Sequence, residues 1–346
     1  ALQAWVRAEP TAWAQAHPGR KAKTDSQTLD RLVQQLKGLS ETDARRLIRN
    51  AIHDDGAITE ADLPQVTKLK YELLDQSGIL SFEFDTVRFA EVGGLERLKR
   101  WLGQRKDAFV AADAMLDPPK GILLVGVQGG GKSLAAKAVA GLWQLPLLRL
   151  DFGTLYNKFF GETERNLRNS LRTAEAMAPC VLWVDEIEKA IASGDYDSGT
   201  SKRVLGTLLT WLAERDQPVF LVATANRIDA LPPELIRKGR LDEIFFVDLP
   251  DAVVRSQIFD IHLRKRGQNV QAFNLDELAR HSDGFSGAEI EQAIVAALYL
   301  AREQRRPLDI GHLLMELEQT RPLSVVMAEQ LTALREWARH RTVAAN

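Results

Sequence analysis

Hydrophobic positions change rhythm twice along this chain. Up to residue 82 they recur three and four apart among polar residues. Leu29, Leu32, Val33, Leu36 and Leu39 share one helical face, and Ser40 stands ready to cap a second helix through Ile52. After the turn Asp54-Asp55-Gly56, Thr59 opens a third helix that carries Leu69, Leu73 and Leu74 and stops at Gly78. Residues 1–28 contain Pro10, Pro18, Gly19 and the basic run Arg20-Lys21-Ala22-Lys23, and read as helix fragments with a mobile linker.

From residue 83 short apolar runs alternate with helical stretches. Ile122–Val125, Leu145–Leu150, Val181–Val184, Val219–Thr224 and Ile244–Leu249 predict five strands. Strands separated by helices imply a parallel sheet covered on both faces. Beyond Asp251 only the helical period remains. It is clearest from Ser286 to Gln304, where Ile290, Ile294, Ala297 and Leu298 share a face. No internal repeat is evident. The pattern predicts a helical domain at 29–82, an α/β domain at 83–250 and a helical unit at 251–346.

Composition narrows the function classes. The 346 residues hold 45 Lys+Arg against 47 Asp+Glu, so nucleic-acid binding by bulk charge is disfavoured. A single cysteine, Cys180, and six histidines exclude a disulfide framework and the usual zinc patterns. A reducing, cytoplasmic setting is expected. The longest apolar stretches, such as Val219–Ala225, fall far short of the ~18 residues a membrane span needs. The N-terminus does not read as a signal peptide. It begins at Ala1 without Met, as a trimmed chain or a piece of a longer one would.

Candidate chemistry is concentrated after the first predicted strand. Gly126-Val127-Gln128-Gly129-Gly130-Gly131-Lys132-Ser133 fits G-x-x-x-x-G-K-[ST], and Leu134 leads into a helix through Gly141. Glycines let backbone N–H groups wrap a phosphate, and the helix N-terminus adds partial positive charge. Lys132 then reaches the terminal phosphates of a nucleotide, and the Ser133 hydroxyl can ligate Mg²⁺. The run Val181–Val184 ends in Asp185-Glu186. An Asp there organises the Mg²⁺ site, and a Glu beside it orients and deprotonates water. The competing reading is a helix cap. Val219–Thr224 leads to Asn226, placed to hold the same water or the γ-phosphate, or simply to make a turn.

In this order the landmarks resemble an AAA ATPase module over about residues 87–340. The segment 87–95, with Val92 and Gly93, resembles the one that lines adenine. Leu235–Asp242, with Arg237 and Arg240, resembles the paired arginine-finger segment. Ile261-His262-Leu263 and Gly284–Ile290, with Gly287 and Ala288, resemble the lid stretches that contact ribose and close over the nucleotide. Gln128, Asp242–Phe246 and the ending Arg321–Ala338 are similar to the ycf-type AAA ATPases of cyanobacteria, some plastid genomes and other bacteria. That resemblance extends to the helical segment at 29–82. It implies a P-loop AAA+ fold with a five-stranded parallel sheet, a C-terminal helical lid and an N-terminal helical domain. It also implies ATP and Mg²⁺ as cofactors.

The same resemblance implies a homo-oligomer, a hexameric ring in which Arg237 and Arg240 face the neighbour's ATP. A basic turn paired with Asp242 or Glu243 is the competing reading. Lys158–Glu164 resembles the first pore loop of AAA unfoldases, with Phe159 and Phe160 gripping a polypeptide and Gly161 allowing the bend. Residues 193–199 fit either a second channel loop or a surface loop. The Asp-Gly-aromatic segment that many relatives use between subunits is absent after Leu212. The expected activity is ATP hydrolysis driving remodelling or threading of a protein substrate. A regulatory switch that binds protein partners without threading is the alternative.

Overall fold

The computed structural model of the chain describes residues 2–16, 23–24, 26–52, 57–75, 78–84, 91–110, 116–158, 162–190, 198–228, 231, 233–236 and 239–346. Its first part holds helices α1 (Leu2–Ala16), α2 (Ser26–Gln35), α3 (Glu41–Ile52) and α4 (Leu63–Leu74). The two-residue strands β1 (Lys23–Thr24) and β2 (Ala57–Ile58) pair in parallel. Val6, Leu32, Leu36, Leu47 and Ile48 are fully enclosed in a core of their own. The helical stripe read from sequence is that core face.

Residues 2–16 lie in the segment read as helix fragments with a mobile linker. They form one helix, because Trp5 and Trp13 pack on the core and buried Glu9 is held by Arg45 at 3.0 Å and Arg49 at 2.8 Å. These anchors outweigh the hydrogen bond that Pro10 removes from the helix.

The central sheet runs through β3 (Leu80–Glu83), β4 (Gly121–Gly126), β5 (Leu147–Leu150), β6 (Cys180–Val184), β7 (Val219–Ala225), β8 (Glu243–Val247) and β9 (Val343–Ala344). The spatial order is β3-β5-β6-β7-β4-β8-β9. The five strands read from sequence form its parallel centre, as an α/β fold requires. Among the described residues the sheet holds seven strands rather than five. β3 joins antiparallel to β5 from a segment read as the end of the helical domain, and β9 joins parallel to β8 from a segment read as helical. Both are short, and pairing to an open edge rather than a local pattern decides them.

Alternate residues of the central strands feed two cores. Leu123, Val125, Leu182 and Leu221 pack against α8 (Thr163–Ala176) and α9 (Ser198–Glu214). Ile122, Leu124, Val181 and Val222 pack against α5 (Glu96–Val110) and α6 (Lys132–Trp143). Burying each such side chain is worth about 1.5–3 kcal/mol. The short helices α7 (Phe152–Lys158) and α10 (Pro233–Ile236) complete this domain.

A second helical unit follows, with α11 (Ala252–Lys265), α12 (Leu275–His281), α13 (Gly287–Glu303) and α14 (Ile310–Gln319) around Phe259, Leu278 and Ile294. Its helices start on firm caps: Asp251, Ser286 and Asp309 each accept a backbone N–H of the first turn. After α15 (Leu323–Val326), α16 (Ala328–Ala338) returns to the α/β domain, where Leu331, Leu334 and Ala338 enter the first core. Among the described residues no helix is long and apolar enough to cross a membrane.

Candidate functional site

The turn after β4 bends through left-handed backbone at Gly129 (φ 75°) and Gly131 (φ 94°), which a side chain would oppose. This lets residues 126–131 curl ahead of the α6 N-terminus. Lys132, 6% exposed, folds back so that its Nζ donates to the carbonyls of Gly126 at 2.9 Å and Val127 at 2.6 Å. Burial draws its pKa down to about 8, opposed by the charges of Glu188, Asp185 and Glu186.

β6 ends facing this loop. Ser133 Oγ lies 3.4 Å from Asp185 Oδ1. On the neighbouring strand, Thr224 Oγ1 donates to the same Asp185 oxygen at 2.6 Å and accepts the backbone N–H of Glu186 at 2.9 Å. One hydroxyl therefore fixes both acids. Glu186 needs that hold, because its φ of 50° is unusual for a residue with a side chain. Asn226 Nδ2 donates to Glu186 Oε1 at 2.9 Å, and the Asn226 backbone N–H donates to Glu188 Oε1 at 2.9 Å. Burial pushes the Glu188 carboxyl above its usual range. Lys189 pairs with Glu186, and Arg149 approaches Asp185 Oδ2 at 3.4 Å while lying over the Trp183 ring.

Lys132, Ser133, Asp185, Glu186, Thr224 and Asn226 line a cleft of about 890 Å³ between the α/β domain and the second helical unit, with Arg149, Glu188 and Lys189 behind them. The structure gathers there Val92, Gly93, Gly129, Gly130, Gly131, Lys132, Ser133 and Leu134, with Asp185, Glu186 and Asn226. From the helical unit come His262, Gly287 and Ala288. The Ala288 N–H lies 3.4 Å from the Gly129 carbonyl, so the unit touches the loop. His262 is hydrogen-bonded within the unit by Glu291 at 3.3 Å, and burial lowers its pKa.

Arg240 lies apart from this group and donates to the Glu234 carbonyl at 2.8 Å. Asp242, its candidate ion-pair partner, instead accepts the N–H groups of Lys120 and Gly121 at 2.6 and 2.7 Å. Arg237, Phe159, Phe160 and Gly161 lie outside the described residues, as do 191–197.

Sequence reading missed Thr224, Arg149, Glu188, Lys189 and Asn346 as parts of the site. Thr224 carried a usable signal, a polar residue at the end of an otherwise apolar strand. Asn346 carried none. It reaches the cleft because β9 lies on the sheet edge, and its side chain accepts the Leu95 N–H.

A glycine loop ahead of a helix, an acid pair two strands over and a helical unit closing the cleft define a nucleotide-binding module of the AAA type with its lid. Comparison with known proteins agrees. Residues 122–249 match the ATPase family associated with various cellular activities (AAA), and residues 272–314 match the AAA+ lid domain. Residues 1–77 match the second domain of SpoVK-like AAA ATPases. The chain belongs to the AAA ATPase family.

Within it, the chain is similar to the uncharacterised ycf46 AAA domain-containing protein of Guillardia theta. The two are 43% identical over 90% of this chain and 62% of that protein. It is more distantly related to the proteasome-activating nucleotidase of Aeropyrum pernix, 38% identical over 68% of this chain and 60% of that one. The fold is like that of the FIGL-1 AAA domain solved in complex with ADP, with a TM-score of 0.65, 23% identity, and cover of 79% of this chain and 96% of that one. The chain thus spans about 62% of the ycf46 relative's length.

Proposed function

We propose that this chain hydrolyses ATP as one subunit of a closed, hexameric ring and uses the turnover to remodel a protein substrate. The observation that carries hydrolysis is the Thr224 hydroxyl, which holds Asp185 and the Glu186 backbone together opposite the phosphate loop. A cleft built only to hold nucleotide needs no second, separately held carboxylate.

The donor set fits Mg²⁺. This ion takes one or two protein ligands and completes its shell with water and substrate phosphates. Ser133 and Asp185 supply that number, and among the described residues no group of three or more His, Cys, Asp or Glu competes as a metal cage. When bound, the ion neutralises charge on the phosphates.

The chain's own residues do the rest. Lys132 exchanges its loop carbonyls for phosphate oxygens. Glu186, oriented by Asn226, accepts the proton of the attacking water. His262, Gly287 and Ala288 cover the base and ribose. Arg240, with Arg237, stabilises charge on the phosphoryl group in the neighbouring subunit.

Relatedness to a proteasome-activating nucleotidase supports a protein substrate. The resemblance at 158–164 supports threading through a pore. A regulatory switch that assembles without threading has its own support. Where relatives carry an intersubunit segment, Arg215 turns inward, stacks 4.5 Å over Trp211 and donates to the Lys120 carbonyl.

The deciding assay is ATPase rate at saturating ATP with unfolded protein, DNA or RNA added, repeated with Phe159→Ala. Remodelling predicts stimulation by unfolded protein that Phe159→Ala abolishes. Stimulation by nucleic acid alone defeats it.

A further inference from the structure

The first and second helical units follow one plan. Residues 29–52 and 275–298 align without a gap. Leu29-Asp30-x-Leu32 corresponds to Leu275-Asp276-x-Leu278, and Gly38-Leu39-Ser40 to Gly284-Phe285-Ser286. Both glycines are left-handed, with φ of 83° and 77°. Ser40 Oγ accepts the Asp43 N–H at 3.2 Å and donates to the Asp43 carboxylate at 2.6 Å. Ser286 Oγ accepts the Glu289 N–H at 3.3 Å and donates to the Glu289 carboxylate at 2.8 Å. Equivalent positions are buried: Leu32 and Leu278, Leu36 and Ser282, Ala44 and Ile290, Ile48 and Ile294.

The match continues past these helices. The Thr59 N–H donates to the Asp62 carboxylate at 2.7 Å where the Asp309 N–H donates to His312 Nδ1 at 3.3 Å. A polar pair joins first helix to third in each unit, Glu9 with Arg45 at 3.0 Å and His262 with Glu291 at 3.3 Å. Arg45 and Glu291 occupy the same aligned position. The expectation of no internal repeat is corrected: identity survives at turns and caps, while the helix surfaces between them have diverged.

We propose that residues 2–74 are a second copy of the lid fold, one that is anchored on the large domain and does not close on that domain's nucleotide. This rests on the reading that His262, Gly287 and Ala288 face ATP. In the copy their places are taken by Glu9, Glu41 and Thr42. Glu9, 6% exposed and paired with both Arg45 and Arg49, is not free to contact a base or ribose.

The anchor is Lys70, 1% exposed near the end of α4. Its Nζ donates to the carbonyls of Lys37 at 2.7 Å and Ala176 at 2.5 Å, the second closing α8 of the large domain. An ammonium suits a helix C-terminus, whose last carbonyls are unpaired and carry the negative end of the dipole. Burying that charge is costly without such partners. Gly38 lies against the same residue, a Cβ there falling 3.6 Å from the Ala176 oxygen. In the C-terminal lid the aligned residue is Thr320, which is exposed and anchors nothing in the large domain through a buried charge.

Amide hydrogen exchange on the whole chain tests this, with a non-hydrolysable ATP analogue and Mg²⁺ as the probe. The analogue should slow exchange in α11 and α13 roughly tenfold or more and leave α1 and α3 unchanged. Without nucleotide, Lys70→Met should speed exchange in α2–α4 and the end of α8, with β6 and β7 unaffected. Should Lys70→Met loosen the whole chain, Lys70→Gln, which keeps N–H donors on a shorter, uncharged side chain, is the deciding variant and must speed the same helices alone. Slowed exchange in α1 and α3 on adding the analogue overturns the absence of closure. Wild-type exchange in α2–α4 of a folded Lys70 variant overturns the anchor. Failure of the analogue to protect α11 and α13 refutes the nucleotide-site reading, and the Lys70 arm still decides the anchor.

Discussion

Asp185 and Glu186 are gripped by their own chain, through Thr224, Asn226, Lys189 and Arg149, whereas Arg240 sits on an exposed turn and donates to the Glu234 carbonyl. The difference separates two kinds of candidate site residue. The acids must be rigid before substrate arrives, because charge in the transition state rewards groups that need no reorganisation. As a finger, the arginine would need something outside its own chain to act on. In the proposed ring that something is the neighbour's nucleotide.

The largest effect tests the loosely held side. Arg240→Ala should lower phosphate release at saturating ATP by roughly 10³–10⁵-fold while oligomer size and ATP affinity stay unchanged. Unchanged turnover would place Arg240 in an ordinary surface turn and erase the contrast. Glu186→Gln addresses the gripped side. Loss of the base should slow hydrolysis by roughly 10²–10⁴-fold with ATP still bound, seen by comparing equilibrium binding with turnover. Loss of binding instead would assign Glu186 to holding nucleotide.

Thr224→Val asks whether the grip matters. It keeps the shape, removes the hydrogen bond to Asp185 and leaves the Glu186 N–H unpaired, an effect of about 1–3 kcal/mol. Turnover should fall about tenfold, with a measurable drop in thermal stability. If both stay at wild-type level, the acids are positioned by something other than Thr224.

The smallest effect is a pH dependence. Lys132 titrates at about 8 in the nucleotide-free chain because it is buried. Its protonated form binds phosphate, so ATP affinity should be full below that pH and fall several-fold as pH rises past it. Fold stability should move the other way. The ordinary lysine pKa of 10.5 applies to the unfolded chain, which therefore holds more protons between about 8 and 10.5, and nucleotide-free stability rises with pH across that window.

Legibility in the sequence follows the same division between local and distant partners. The phosphate loop was readable because its glycines, lysine and serine act together within eight consecutive residues. The central strands were readable because burial on both faces leaves unbroken apolar runs. Thr224 stood out as a polar residue in an apolar run, but its role did not, since that depends on β7 lying beside β6. Arg149 reaches Asp185 only because β5 pairs with β6. β3 and β9 were invisible because a short strand on a sheet edge takes its structure from its neighbour. The lid copy at residues 2–74 escaped for a related reason. Its turns and caps match those of the C-terminal lid, but its third helix bears Arg45, Arg46 and Arg49 where the other bears Glu291, Gln292 and Val295.

The central claim is that each ATP site is completed by two chains, and mixing two inactive variants tests it most directly. Arg240→Ala subunits keep the base and lack the arginine, and Glu186→Gln subunits do the reverse. Mixed in equal amounts and allowed to exchange subunits, they should recover about a quarter of wild-type phosphate release, the share of interfaces at which random assortment pairs an intact base with an intact arginine. A mixture no more active than either variant alone, in rings shown to contain both, would contradict the account.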